Sequence, residues 1–562
     1  METALSTINI NAAPSEIPAD ELSSSEARKA VIGASLGTVF EWYDFFVYGL
    51  VATIIAKRFF TGLDSTTAFI LALLGFAAGF IVRPIGAAFF GRLGDIIGRK
   101  HTFLITIVLM GAATFATGLL PTYDQVGTLA PILLIALRML QGLAIGGEYG
   151  GAAIYVCEYA PAKKRGMFTS WIQTTGSAGM LLALLVVISV SHATGAQYAE
   201  WGWRLPFLLS LPLLLVSLYI RLSLHESPVF QKMKAQGARS KAPLSEAFGQ
   251  WKNLRLVLIA LFGVCAGQTV IYFTCQFFPL FFLTQTLKVD PETANQLVMF
   301  ALLIGCPLFV VFGSLSDKIG RKPILLTGLI LAGVSFFPIY HGLTHFANPA
   351  LERAQNSSPI VVHADPAECS FQFNLTGTKK FTSSCDIAKQ VLAQNAASYD
   401  TVPVAKGSAA SITIGSLEIP SYDSSKLGAA EAKEADKNFK ARVLAAMAKA
   451  QYPNAAAPED INKWAVFVLL LVLMTFAAMT YGVVGAMLVE LFPARIRYTS
   501  FSVPYHIATG WFGGLQPTVS FALIAQFGNI YFGLWYPIGV ITVSLVVAVL
   551  FLRETKDVDI HA

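Results

Sequence analysis

Long apolar runs alternate with short polar turns along most of the chain. An α-helix rises 1.5 Å per residue, so about 20 apolar residues cross roughly 30 Å of hydrocarbon. Twelve runs serve as spans: 31–56, 67–90, 102–120, 129–159, 167–190, 203–222, 256–283, 294–312, 323–343, 464–491, 498–527 and 531–552. The pattern predicts an all-α membrane protein of twelve transmembrane helices, six in each half. Between and around them lie an N-terminal tail (1–30), a linker (223–255), a long insertion (344–463) and a C-terminal tail (553–562). The bundles they delimit are 31–222 for the first half, with 256–343 and 464–552 forming the second.

The polar turns carry a repeat, which fixes architecture before any single motif does. Gly91, Leu93, Asp95, Ile97, Gly98, Arg99 and Lys100 recur 222 positions later as Gly313, Leu315, Asp317, Ile319, Gly320, Arg321 and Lys322. A second echo, E-x-x-P-A-x-x-R, runs from Glu158 to Arg165 and again from Glu490 to Arg497 at an offset of 332. One duplication explains both if about 110 residues were inserted between Lys322 and Glu490, where the polar segment stands. The halves are therefore pseudo-symmetric six-helix bundles.

Inside the insertion, Phe371, Phe373 and Leu375 alternate as in a strand, and so do Ile412 and Ile414. Phe439, Val443 and Met447 recur every four residues, as on a helix face. These periods predict a small α+β cap, and the alternative is a mostly disordered loop rich in Ala, Ser and Lys. Cys369 and Cys385, the two cysteines of the insertion, would close a loop worth about 3 kcal/mol as a disulfide. Cys157, Cys265, Cys275 and Cys306 lie in apolar spans and read as packing residues. The sequons at Asn356 and Asn374 are too common a pattern to use.

Composition agrees with the pattern: 55% of residues are hydrophobic, 13% are charged, and mean hydropathy is +0.60. The net charge of +6 sits near helix ends, which speaks for topology and against nucleic acid. Loops after even-numbered spans hold 17 Lys and Arg, against three in the short loops opposite. The charge rule then puts both termini in the cytoplasm and the insertion outside. The first residues, polar, Ser-rich and acidic, read as a cytosolic tail and not as a signal peptide.

Charges within the spans are the candidate chemistry, since each costs roughly 2.5–3.5 kcal/mol at a helix centre. Glu41 and Asp44 share a face of the first span, and Arg83 lies in the second. The fourth holds Arg138, Gln141, Glu148 and Glu158 among glycines that permit close helix contact. Such groups either form fixed ion pairs that orient helices, or make a proton and substrate site whose carboxylate changes affinity with conformation. Asp44, Glu41 and Arg138 favour the second reading, and Glu158, at a span end, the first. Gln268, Tyr272 and Gln276, each four residues apart, line a cavity or glue helices together, with His506 and Gln516 as weaker candidates. No Ser/His/Asp set, metal cluster or phosphate-binding glycine loop points to an enzyme.

Four motifs together resemble the major facilitator superfamily, and within it the metabolite:proton symporter family. They are E-W-Y-D-F-F-V-Y-G from Glu41, V-R-P-I-G-A-A-F-F-G-R-L-G-D from Val82, R-M-L-Q-G-L-A-I-G-G-E-Y-G-G from Arg138 and G-W-R-L-P-F from Gly202. The resemblance implies a carrier that imports a small organic acid or zwitterion across the inner membrane by alternating access. A proton is its coupling ion, no cofactor is needed, and the carrier works as a monomer in the bilayer. The resemblance also implies a cytoplasmic latch in which Asp95 and Arg99, with Glu158, reach Arg497. By symmetry Asp317, Arg321 and Glu490 meet Arg165. Ile96 departs from the pattern, which usually has a base there, whereas Lys318 keeps it. The fifth span, T-T-G-S-A-G-M from Thr174, lacks the motif of drug/proton antiporters, which makes export the alternative. A receptor that uses the insertion is a second alternative.

Overall fold

The computed structural model describes residues 24–61, 65–222, 231, 235–236, 240, 242–370, 382–395 and 397–560. The side chain of Arg99, the expected strand at Phe371, Phe373 and Leu375, and the sequon at Asn374 lie outside the described residues.

Every expected span falls on helix. Among the described residues, eight helices are long and apolar enough to cross a membrane, or nine if a bent pair at the first span counts as one. That pair bends by 58° between Leu50 and Ala52. Other spans break where chemistry allows: the second at Val82, before Arg83 and Pro84, and the fourth between Gly146 and Tyr149. The seventh and eleventh carry wide π-helical turns at Ala260–Cys265 and Ala508–Gly513. Wide turns of this kind are frequent at functional sites.

Glycines let the second and fourth spans meet backbone to backbone. A Cβ on Gly142 would lie 1.8 Å from the carbonyl oxygen of Gly79, a distance no side chain survives. The repeated charged turn also repeats in conformation, with φ/ψ of 114°/159° at Gly98 and 108°/160° at Gly320. Positive φ of this size suits glycine alone, so the same residue stands in both copies. The two halves meet along the fifth and eighth spans and along the second and eleventh.

The insertion folds as an α+β cap. Its sheet has the order β2-β1-β3-β4: β1 (Ile360–Ala364), β2 (Tyr399–Pro403), β3 (Ser411–Ile414) and β4 (Leu417–Pro420). β1 runs parallel to β2 and antiparallel to β3. Ile412 and Ile414 are buried in β3, and Phe439, Val443 and Met447 are buried on helix Ala429–Lys449, as their periods predict. Cys369 and Cys385 form a disulfide. Asp365 ties the loops beside the sheet, its carboxyl held below the usual range by the backbone N–H groups of Gly407 and Ala367. The cap hangs from the second half. Asn348 Nδ2 donates to the Leu287 carbonyl at 2.9 Å, Ala456 N to Lys288 at 3.0 Å and Tyr399 N to Gly528 at 2.7 Å.

Candidate transport site and gate

The first half holds a chain of buried polar groups. Arg138 Nη1 donates to Gln141 Oε1 at 2.5 Å, and Gln141 Nε2 donates to Thr114 Oγ1 at 2.8 Å. Asp44 lies against Thr114 and within electrostatic reach of Arg138. The guanidinium of Arg138 lies 4.5 Å from the ring centre of Phe45 and 4.3 Å from that of Tyr48. Glu41 is buried one turn before Asp44, and Glu148 is buried at the break of the fourth span. Asp44 Oδ1 is shut from solvent and has no hydrogen-bond partner among the described residues.

Arg83 is placed differently. Its guanidinium lies 3.9 Å from the ring centre of Phe80, 4.4 Å from Phe45 and 5.5 Å from Trp42. It is fully buried, and its three nitrogens have no hydrogen-bond partner among the described residues. Aromatic faces hold the cation in position, while its donors stay available to an oxyanion.

Tyrosines from both halves close around this point. Tyr149 donates to Gln173 Oε1, and its ring stacks on Tyr505 at 4.1 Å. The hydroxyls of Tyr481 and Tyr505 meet at 2.5 Å, and the Tyr272 ring lies 4.9 Å from that of Tyr481. Tyr272 Oη, Gln173 Nε2, Gln268 Nε2 and both ring nitrogens of His506 are buried without partners among the described residues. Gln276 takes the other role left open for its face, accepting from Ser177 of the first half at 3.1 Å. Gln516 hydrogen-bonds Ser520 on its own helix. Phe46 against Phe277 at 4.8 Å and Phe80 against Phe273 at 5.3 Å bring the halves together on the cap side.

At the charged turns the halves join again. Arg497 Nη1 pairs with Glu158 Oε1 at 3.1 Å, both buried, as the resemblance implies. Arg321 pairs with Asp317 at 2.8 Å and Glu490 at 3.1 Å. Two further contacts join the halves, the second of them unlike the expected pairing. Asp95 reaches the second half at Thr499, accepting from its backbone N at 3.1 Å and its hydroxyl at 2.7 Å. Asp317 forms no ion pair with Arg165 among the described residues, and it accepts instead from the backbone N of Gly166 and Met167, each at 2.8 Å. Each turn carboxylate therefore caps the first turn of a helix in the opposite half. There the free N–H groups and the positive end of the helix dipole attract it.

The last residues lie across this face. Glu554 accepts from the backbone N of Arg321 and Lys322, at 2.9 and 3.0 Å. Burial is the largest influence on its carboxyl and raises its pKa, but the backbone N–H groups of Arg321, Lys322, Lys556 and Thr555 together hold it below the ordinary value.

Reading the residues one by one overlooked Gln173, Tyr481 and Tyr505. Tyrosine costs little in a helix and stands out by no period, so its signal lies in three spans converging on one point. An ionisable residue is visible alone because hydrocarbon penalises it.

Comparison with known proteins bears on the family and the fold. Residues 30–250 match the family model described as sugar (and other) transporter, and residues 156–347 match MFS/sugar transport protein. The proline/betaine transporter of Escherichia coli K12 is 40% identical over 326 residues, 56% of this chain and 64% of that one. The chain thus spans just under two thirds of that relative's length. The shikimate transporter and the alpha-ketoglutarate permease of the same strain are each 35% identical, over 74% and 78% of their lengths and 57% and 60% of this chain. The solved proton:xylose symporter XylE superposes with a TM-score of 0.59 at 17% identity, covering 96% of this chain and 98% of its own. It shares the fold. The chain is a multi-pass membrane protein of the transporter class, not an enzyme. It belongs to the major facilitator superfamily and there to the metabolite:proton symporter type.

Proposed function

We propose that this protein is a proton-coupled symporter that imports a small organic acid or zwitterion across the inner membrane, with both termini in the cytoplasm and the cap outside. The two halves rock about the Arg83–tyrosine site in alternating access, and the protein works as a monomer with the proton as its coupling ion. The observation that carries the reading is the pairing of two different arginines in one half. Arg138 is engaged with Gln141 near Asp44, whereas Arg83 keeps its donors free in an aromatic box. One suits proton exchange and the other suits a carboxylate. The relatives' names, proline/betaine, shikimate and alpha-ketoglutarate, share a carboxylate, which supports the same division.

The test is uptake into vesicles that contain the purified protein, with an imposed proton gradient and these four solutes offered in turn. One of them should accumulate uphill. Asp44→Asn, which keeps the shape and cannot titrate, should abolish accumulation and leave counterflow exchange. Uphill uptake at the parent's rate in that variant would remove Asp44 from coupling.

A further inference from the structure

The segment after the twelfth span is held to the second half by packed and hydrogen-bonded anchors. Leu552, Thr555 and Ile560 are buried. Glu554 caps the backbone N–H groups of Arg321 and Lys322, where helix Arg321–Ala347 begins with no side-chain cap of its own. Thr555 Oγ1 donates to Glu490 Oε2 at 2.7 Å, and Lys322 Nζ donates to the Leu552 carbonyl at 2.7 Å. Beyond these anchors the backbone turns its carbonyls to the two arginines that the duplication made equivalent. Arg497 Nη2 donates to the Ile560 carbonyl at 2.7 Å, and Arg165 Nη1 donates to the Val558 carbonyl at 2.7 Å. Arg497 belongs to the second half and Arg165 to the first, so the segment bridges both.

The two sides of the bridge differ in packing. Between this segment and the first half lies a cavity of about 300 Å3, lined by Lys163 and Arg165 of one half, Asp317 and Arg321 of the other, and Lys556 and Asp559 of the segment itself. On this side Val558 is exposed and its carbonyl holds Arg165 at the edge of the cavity, whereas Ile560 on the other side is packed. Arg165 is itself buried, and its Nε has no hydrogen-bond partner among the described residues. Loss of the Val558 carbonyl would leave a second donor of a buried cation unmet until water enters from the cavity.

We propose that residues 558–560 form a strap across the inner gate, that they stay with the second half, and that the Arg165–Val558 bond breaks each time the inner side opens. The proposal rests on the alternating-access reading above. The strap adds to the carboxylate latch a contact that carries no opposing charge, and this makes it the part of the gate a change in the tail can tune.

The test uses the full chain with spin labels at Arg92→Cys and Ile319→Cys, exposed positions in the charged turns of the two halves. Ile560→Asp puts a charge in the strap's packed anchor. It should raise the long-distance, inward-open fraction relative to closed by roughly tenfold, the loss of about one hydrogen bond to a charged group. An unchanged distance distribution would overturn the proposal. If that variant fails to insert, Lys163→Cys with Asp559→Cys gives a second route, since both line the same cavity. A disulfide there should remove the inward-open population until reductant restores it, and an inward-open population that survives cross-linking would overturn the strap. Neither readout needs a transported solute. Failure of the transport reading would appear separately, as a parent protein that accumulates none of the solutes offered.

Discussion

Arg83 and Arg138 show how one residue type takes two roles through its neighbours. A cation at a helix centre costs roughly 2.5–3.5 kcal/mol on insertion scales. Arg138 offsets this through Gln141 and the field of Asp44, while Arg83 relies on the faces of Trp42, Phe45 and Phe80. Those faces hold a planar guanidinium better than a compact, strongly hydrated ammonium. Arg83→Lys should therefore weaken binding of the transported solute at least tenfold, about 1.4 kcal/mol, with the protein still inserted. Equilibrium dialysis of the purified variant measures this directly. A dissociation constant equal to the parent's would place the carboxylate elsewhere.

At the scale of elements, the proposed gate is built from helix ends. Asp95 caps the turn that begins at Arg497, and Asp317 caps the turn that begins at Arg165, so each joins the halves through backbone donors that exist only while the helices abut. A buried ion pair that crosses between the halves, Glu158–Arg497, adds to these. Removing one partner of a buried pair costs about 3–5 kcal/mol because a charge is left unmet. Glu158→Arg should thus open the inner side and lower the melting temperature. Adding Arg497→Glu should recover part of both. Recovery stays incomplete because Arg497 also donates to the carbonyls of Phe492 and Ile560, which a glutamate cannot do. Double spin-label distances and thermal unfolding of the three variants report it, and a double variant no better than Glu158→Arg alone would show that the pair is not what holds the halves.

For the whole molecule, the cap behaves as part of the second half. Its hydrogen-bonded anchors reach Leu287, Lys288, Phe346 and Gly528, all in that half, so the proposed rocking carries it as one body. The Cys369–Cys385 link joins residues 16 apart and is worth about 3 kcal/mol to the cap by the chain-entropy model. Cys385→Ser should therefore speed protease cleavage within residues 348–462 and leave proton-driven uptake within about twofold of the parent, since none of the described residues there belongs to the site. Loss of uptake in protein that reaches the membrane would show that the cap takes part in transport.

The helical membrane architecture, pseudo-symmetry, the α+β cap and the buried Glu41, Asp44, Arg83 and Arg138 were legible in the chain alone. Each rests on a local or repeated cost: hydrocarbon requires long apolar helices, penalises every charge in them, and duplication copies a glycine turn with its conformation. What the chain alone left undecided were partners far apart in sequence. Whether Asp317 would find Arg165 or the backbone beside it, whether Gln276 lines a cavity or ties helices, and which tyrosines converge on Arg83 depend on how two bundles dock. No period or spacing records docking. Backbone N–H groups compete for a carboxylate in every sequence alike, and only the tertiary structure decides which of them face it.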